Sequence, residues 1–371
     1  MTEAAIPPDP SSPSSDARRW TAGILGATGS VGQRFVALLA DHPWFDVVHL
    51  AASSRSAGRP YADAAHWLGD ATLPPAIGAL TVHEAHPDSL PAGAAPPDVV
   101  FSALGSAQAR ALEPAWARAG AAVISNASAY RMADDVPLLI PEVNPDHLAL
   151  IDRQAYGDGF IVTNPNCATV GLVCALAPIT RRFGLTTVRV TTLQAVSGAG
   201  YPGVASLDIL GNVVPWIRGE ADKLHTEPQR ILGALDGDRV VPASFVSSAQ
   251  VTRVPVRDGH LLSIDVETER PVDVDAAAEA LTTYASPIAD LDLPSAPARL
   301  VHLAADPDRP QPRLDVDRGR GMTVTVGQLR IDPLGALRLV ALVHNTLRGA
   351  AGAAVLNAEL LARRGRLSKQ R

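Results

Sequence analysis

An apolar run, Ala22-Gly23-Ile24-Leu25, passes directly into Gly26-Ala27-Thr28-Gly29-Ser30-Val31-Gly32 and then into a segment with helically spaced apolar residues as far as Ala40. A buried strand, a glycine turn and an amphipathic helix in that order open a parallel βαβ arrangement, whose crossovers are right-handed. The alternation continues: residues 47–52, 99–104, 122–125 and 160–163 read as buried strands, and 107–119 and 168–183 as helices. Beyond Gly184 the character changes. Residues 187–196, 250–256, 260–268 and 322–329 read as antiparallel strands of a second, mixed α+β domain.

A chain of 371 residues has room for two such cores. We expect a Rossmann-type α/β domain over 21–165 and an α+β catalytic and oligomerisation domain over 166–345. The alanine-rich end, 346–371, is expected to pack back as a helix on the first domain. Residues 1–20, with Pro7, Pro8, Pro10 and Pro13 and no apolar segment, read as a disordered tail and as neither signal peptide nor membrane span. A formal charge of −6 argues against nucleic acid as a partner and for a small-molecule ligand. The only cysteines, Cys167 and Cys174, make neither a disulfide framework nor a metal site, so we expect no metal and a reducing, cytoplasmic setting.

Gly26, Gly29 and Gly32 between strand and helix would let a pyrophosphate approach the backbone. The helix N-terminus around Thr28, Ser30 and Val31 supplies free N–H groups and partial positive charge. The alternative is a tight turn needing positive φ. The second strand ends Ser53-Ser54-Arg55-Ser56 and offers no acid for a ribose diol; hydroxyls and a guanidinium suit a 2′-phosphate, which predicts NADP over NAD. Arg55 could equally be a solvated loop residue. Ser102, Ala103 and Leu104 follow a strand's carboxyl end, the usual edge for dinucleotide contact.

Asn164-Pro165-Asn166-Cys167-Ala168-Thr169 puts a cysteine on the first turn of a helix, where the macrodipole favours thiolate. Cys174, two turns on among Leu172, Val173 and Leu176, reads as a packing residue. A buried structural thiol is the commoner role for a cysteine. The flanking asparagines, the strand-to-helix junction and the preceding cofactor domain favour a nucleophile at 167.

These motifs, with the Ser-Ser-Arg-Ser-Ala-Gly58 stretch, Leu193-Gln-Ala-Val-Ser-Gly-Ala-Gly200, Arg253-Val-Pro-Val-Arg-Asp-Gly-His260 and His344-Asn-Thr346, resemble the fungal and archaeal branch of the aspartate-semialdehyde dehydrogenases, in register from about Gly23 to the end. The resemblance implies reversible, NADP-dependent reductive dephosphorylation of L-aspartyl 4-phosphate to L-aspartate 4-semialdehyde, on the route to lysine, threonine and methionine. It makes Cys167 the covalent nucleophile, His260 the general acid/base and Gln194 the group that orients substrate. Arg253 would bind the α-carboxylate, Glu220 the α-ammonium, and Lys223, Arg131 and Asn166 the phosphate. Ser197 and Gly198 would lie on the nicotinamide side, with Asn345 a further cofactor contact, and the protein would be a homodimer or homotetramer.

If Asp258-Gly259 is a two-residue hairpin turn, Arg253 lies opposite Ile264 and shares a face with His260. Without the resemblance His260 reads as a polar strand-end residue, and Glu220 with Lys223 as an exposed ion pair. The run 247–252 and Leu261 depart from the family pattern beside the substrate pocket. Pro228 implies that the helix after Lys223 starts near it or kinks there. Competing readings are a reductase of N-acetyl-glutamyl phosphate or malonyl-CoA, or a catalytically silent NADP-binding protein. The first pair would not need the full set Arg131, Asn166, Glu220 and Lys223.

Overall fold

The structure is a computed structural model describing residues 19–367; the expected tail falls almost wholly outside them. Among the described residues, β1 (Trp20–Leu25), β2 (Phe45–Ala52), β3 (Val82–Glu84), β4 (Val99–Ser102), β5 (Ala122–Ser125) and β6 (Phe160–Thr163) form a parallel sheet in the order β3-β2-β1-β4-β5-β6. The order reverses between β1 and β4, so a crevice opens at their carboxyl ends, where a doubly wound sheet takes its ligand. Helix α1 (Ser30–Leu39) follows β1, and α2 (Ser106–Arg118) follows β4.

The glycine turn meets the positive-φ requirement weighed for it. Gly26 adopts φ +74°, and a Cβ there would lie 2.8 Å from the Ala103 carbonyl oxygen, while one on Gly32 would lie 2.2 Å from that of Gly26. Those two positions are closed to larger residues by packing. Gly29 meets only the Gly26 oxygen, at 3.4 Å, and is the one of the three that leaves open space in front of the helix.

Helix α3 (Cys167–Phe183) leaves β6 and supplies a buried apolar support for a second sheet. That sheet contains β7 (Thr187–Gln194), β10 (Val246–Arg253), β11 (His260–Glu267), β12 (Val301–Leu303), β13 (Val324–Ile331) and β14 (Leu337–Val343), in the order β10-β7-β11-β14-β13-β12; β8 (Ala234–Asp236) and β9 (Arg239–Val241) form a separate hairpin. The expected hairpin fails here, and with it the placing of Arg253 opposite Ile264. β10 and β11 are not a hairpin: β7 lies between them, parallel to β10 and antiparallel to β11. The link 254–259 is a crossover over one strand, a topology that alternation within each strand cannot distinguish from a hairpin. Arg253 therefore pairs with Gln194, and His260 with Val343.

Helix α4 (Glu220–Ile231) begins eight residues before Pro228 and contains it. A proline deprives the carbonyl four residues earlier of its partner; here that carbonyl, of Leu224, accepts a hydrogen bond from the Ser247 hydroxyl of β10 at 2.7 Å. The proline is thus accommodated by one of the residues at which the sequence departs from the family pattern. Helix α5 (Val274–Thr282) covers the far end of the second sheet. The chain end returns to the first sheet as a π turn, Leu347–Ala351, and helix α6 (Gly352–Arg363), whose Glu359 meets His42 at 2.9 Å.

Candidate active site

Helix α3 starts where the chain leaves the first sheet, and Asn166 caps it: the side-chain oxygen accepts from the N–H groups of Ala168 at 3.0 Å and Thr169 at 3.2 Å. Capping fixes Cys167 at the first helical position. Its Sγ lies 3.2 Å from His260 Nε2. The Nδ1 of that ring accepts the backbone N–H of Ala195 at 3.1 Å. Since an amide can only donate, the neutral imidazole carries its proton on Nε2, aimed at the sulfur. Burial, with the charges of Arg253 and His344, pushes the His260 pKa down to about 3, so the ring is neutral in the ordinary pH range.

The sulfur departs from expectation. Burial, then the Glu220 charge, pushes the Cys167 thiol up to about 12, against the pull of Lys223, Arg131 and Arg253. Cys167 is only partly buried as a residue, yet the protein packed around the sulfur outweighs the advantage of a helix start. A short motif shows the dipole and hides the crowding.

The polar groups assigned to substrate converge around this pair. Asn166 Nδ2 donates to Glu220 at 2.6 Å, and Lys223 Nζ donates to the other Glu220 oxygen at 2.8 Å. Glu220 is buried, so this is no solvated surface pair. Arg253 donates to the Ala195 carbonyl at 2.7 Å, beneath Gly198, where a Cβ would meet both Arg253 and His260. Gln194 ends β7 beside Arg253, and it is buried with one long contact, 3.3 Å to Thr192. Arg131 reaches the same region and is paired at 3.0 Å with Glu227. Glu227 escaped the sequence reading; its position on the α4 face shared by Glu220 and Lys223 was the available signal.

Gly26, Thr28, Gly29, Ser53, Ala103 and Leu104 line a groove of about 530 Å³ at the carboxyl ends of β1, β2 and β4. Ser30 and Ser197 line a second recess of about 460 Å³. The open front of Gly29, the start of α1 and the volume of the groove suit a nucleotide cofactor. Other expected contacts stand back from it. Ser102 is fully buried, Val31 packs on the first core, and Asn345 is tied to the Gly259 N–H at 2.9 Å and to Ser197 at 2.8 Å. Arg55 and Ser56 follow Ser53 on the turn beyond β2, with Arg55 exposed. Glu84, at the end of β3, also lines the groove and was missed, because it becomes a neighbour of the β2 end only through strand pairing. Among the described residues no cluster of three or more His, Cys, Asp or Glu is placed to hold a metal.

A parallel sheet with a glycine groove, together with a cysteine–imidazole pair ringed by cations and a carboxylate, defines a nucleotide-dependent dehydrogenase. Residues 21–151 match the family model for the semialdehyde dehydrogenase NAD binding domain, and 176–348 that for the semialdehyde dehydrogenase dimerisation domain. The chain is 49% identical over 346 residues to the aspartate-semialdehyde dehydrogenase of Archaeoglobus fulgidus (92% of this chain, 98% of that one). It is 45% identical over 357 residues to that of Candida albicans (92% and 97%). The crystal structure of the Candida albicans enzyme with NADP superposes with a TM-score of 0.85 at 43% identity, covering 93% of this chain and 99% of that one. The protein belongs to the aspartate-semialdehyde dehydrogenase family.

Proposed function

We propose that this protein catalyses the NADP-dependent, reversible reductive dephosphorylation of L-aspartyl 4-phosphate to L-aspartate 4-semialdehyde, in the cytoplasm, on the way to lysine, threonine and methionine. The observation that carries the chemistry is the 3.2 Å approach of Cys167 Sγ to a buried imidazole whose Nε2 proton faces it. As Cys167 attacks the acyl carbon, the C–O bond to phosphate breaks, the thiol proton leaves with the phosphate, and a thioester forms on the sulfur. Arg131 and Lys223, with Asn166, receive the departing phosphate; Arg253 and Glu220 hold the substrate's carboxylate and ammonium; Gln194 orients it. The nicotinamide, when bound, supplies the hydride. His260 donates a hydrogen bond from Nε2 to the oxygen of the tetrahedral carbon as that oxygen becomes negative, the C–S bond breaks to release aldehyde, and the expelled thiolate takes a proton from water. Gly26, Thr28, Gly29, Ser30, Ser53, Ala103, Leu104, Ser197 and Gly198 hold the cofactor, with Arg55 and Ser56 reaching its 2′-phosphate.

Division of labour follows the two sheets, with 21–165 as the cofactor domain, the described part of 346–371 returning to it, and 166–345 as the catalytic and oligomerisation domain. The exposed side chains Leu207, Leu210, Val213 and Trp216 of the second part suit a homodimer interface, on which a tetramer could be built.

The test is to follow NADPH production with aspartate semialdehyde plus phosphate, with N-acetylglutamate semialdehyde plus phosphate, and with malonate semialdehyde plus CoA. The first mixture is expected to turn over at least about a hundredfold more efficiently, because the other substrates lack the ammonium that pairs with Glu220. A faster reaction with either of the others overturns the assignment.

A further inference from the structure

One carboxylate joins two parts of this site. Glu227 lies seven positions after Glu220 and four after Lys223, on the same face of α4. It is only 2% exposed. Its Oε1 accepts from Nη1 of Arg131 at 3.0 Å, and its Oε2 accepts the backbone N–H of Asn166 at 2.7 Å. The remaining terminal nitrogen of Arg131 donates to the Asn126 carbonyl at 2.7 Å, while its Nε is buried and has no partner among the described residues. The guanidinium is therefore held at its tip by two acceptors and keeps donors to spare. Asn166 is the residue that caps α3 and precedes the nucleophile. A peptide N–H at a cap position has no helical partner of its own, so the carboxylate satisfies a donor that would otherwise be buried and unmet.

We propose that Glu227 is a positioning residue that fixes Arg131 relative to the start of the Cys167 helix, and thereby governs the phosphate step of the reaction. The proposal rests on the reading of Arg131 as a phosphate ligand. A carboxylate bound to both elements lets neither move without the other, so the distance from the phosphate site to the sulfur is set by one side chain. The bonds are charge-assisted and short on geometry to spare, since a carboxylate has just two oxygens and each is committed. Asp at this position keeps the charge and falls one methylene short. Gln keeps an acceptor for the Asn166 N–H and loses the charge facing Arg131.

The experiment compares Glu227→Gln, Glu227→Asp and Arg131→Lys with the parent chain. It reads the KM for phosphate at saturating aspartate semialdehyde and NADP, the KM for the semialdehyde, and Tm. A second readout needs no turnover: the concentration of inorganic phosphate that protects Cys167 from iodoacetamide. For Glu227→Gln the phosphate KM and the protecting concentration are expected to rise about tenfold, with the semialdehyde KM within about twofold; Glu227→Asp should fall between Gln and the parent. A phosphate KM that Arg131→Lys raises and Glu227→Gln leaves unchanged overturns the proposal alone. So does an equal rise in both KM values, which is what a merely structural ion pair would give. A phosphate KM unmoved by Arg131→Lys overturns the reading of Arg131, and this proposal with it.

Discussion

The thiol of Cys167 shows how much a single residue's surroundings can add to its sequence context. The motif places it at a helix N-terminus, which by itself lowers a thiol pKa; crowding and Glu220 reverse the sign and push it to about 12. For an acid raised in this way the thiolate fraction grows about tenfold for each pH unit until the pKa is reached. Alkylation of Cys167 by iodoacetamide in the ligand-free protein should therefore climb about tenfold per unit between pH 7 and 9 without a plateau, measured by mass spectrometry of the modified peptide. A plateau near neutrality would mean that the dipole and the cations prevail. His260 is the complementary case: its motif position was readable, while its neutral state and its tautomer come from burial and from the Ala195 amide just beyond β7.

Among elements, the π turn Leu347–Ala351 carries the tightest constraint on Cys167. A Cβ on Gly349 would lie 2.7 Å from that of Cys167, and the neighbouring Arg348 is fully buried with a two-pronged pair to Glu142 at 2.6 and 2.9 Å. Arg348 also donates to Cys174 at 3.3 Å, two turns along the nucleophile's own helix, so Cys174 is more than the inert packing residue its apolar neighbours suggest. Glu142→Gln would leave a buried guanidinium without its counter-charge, a loss of about 3–5 kcal/mol. Chemical denaturation should show that loss as a lower midpoint with unchanged slope; a shift under about 1 kcal/mol would mean that water or Cys174 compensates. The helices and strands around this turn were legible because their apolar periodicity is local. The π turn was not, since it reads as the first turn of an ordinary helix.

At the level of the whole molecule, the connecting segment 207–216, bridged to the edge strand β10 at Val214 and Arg253, is an exposed apolar strip, with Leu207 at 92% and Trp216 at 63%. Apolar side chains in that number on one segment imply a covering surface. Leu207→Asp combined with Leu210→Asp should halve the mass seen by light scattering while leaving the circular dichroism of the protomer intact. An unchanged mass would place the interface elsewhere.

What the sequence by itself determined is the set of local facts: a strand, glycine turn and helix that open a nucleotide-binding sheet, and a cysteine on a helix start. These are written in contiguous residues, where spacing converts directly into shared faces and caps. Tertiary structure alone decided that β7 separates Arg253 from His260 in the sheet, that Glu227 joins Arg131 to the nucleophile's helix, and that the sulfur is crowded rather than ionised. Each of these depends on groups brought together from distant parts of the chain, and burial and strand order arise only when those parts pack.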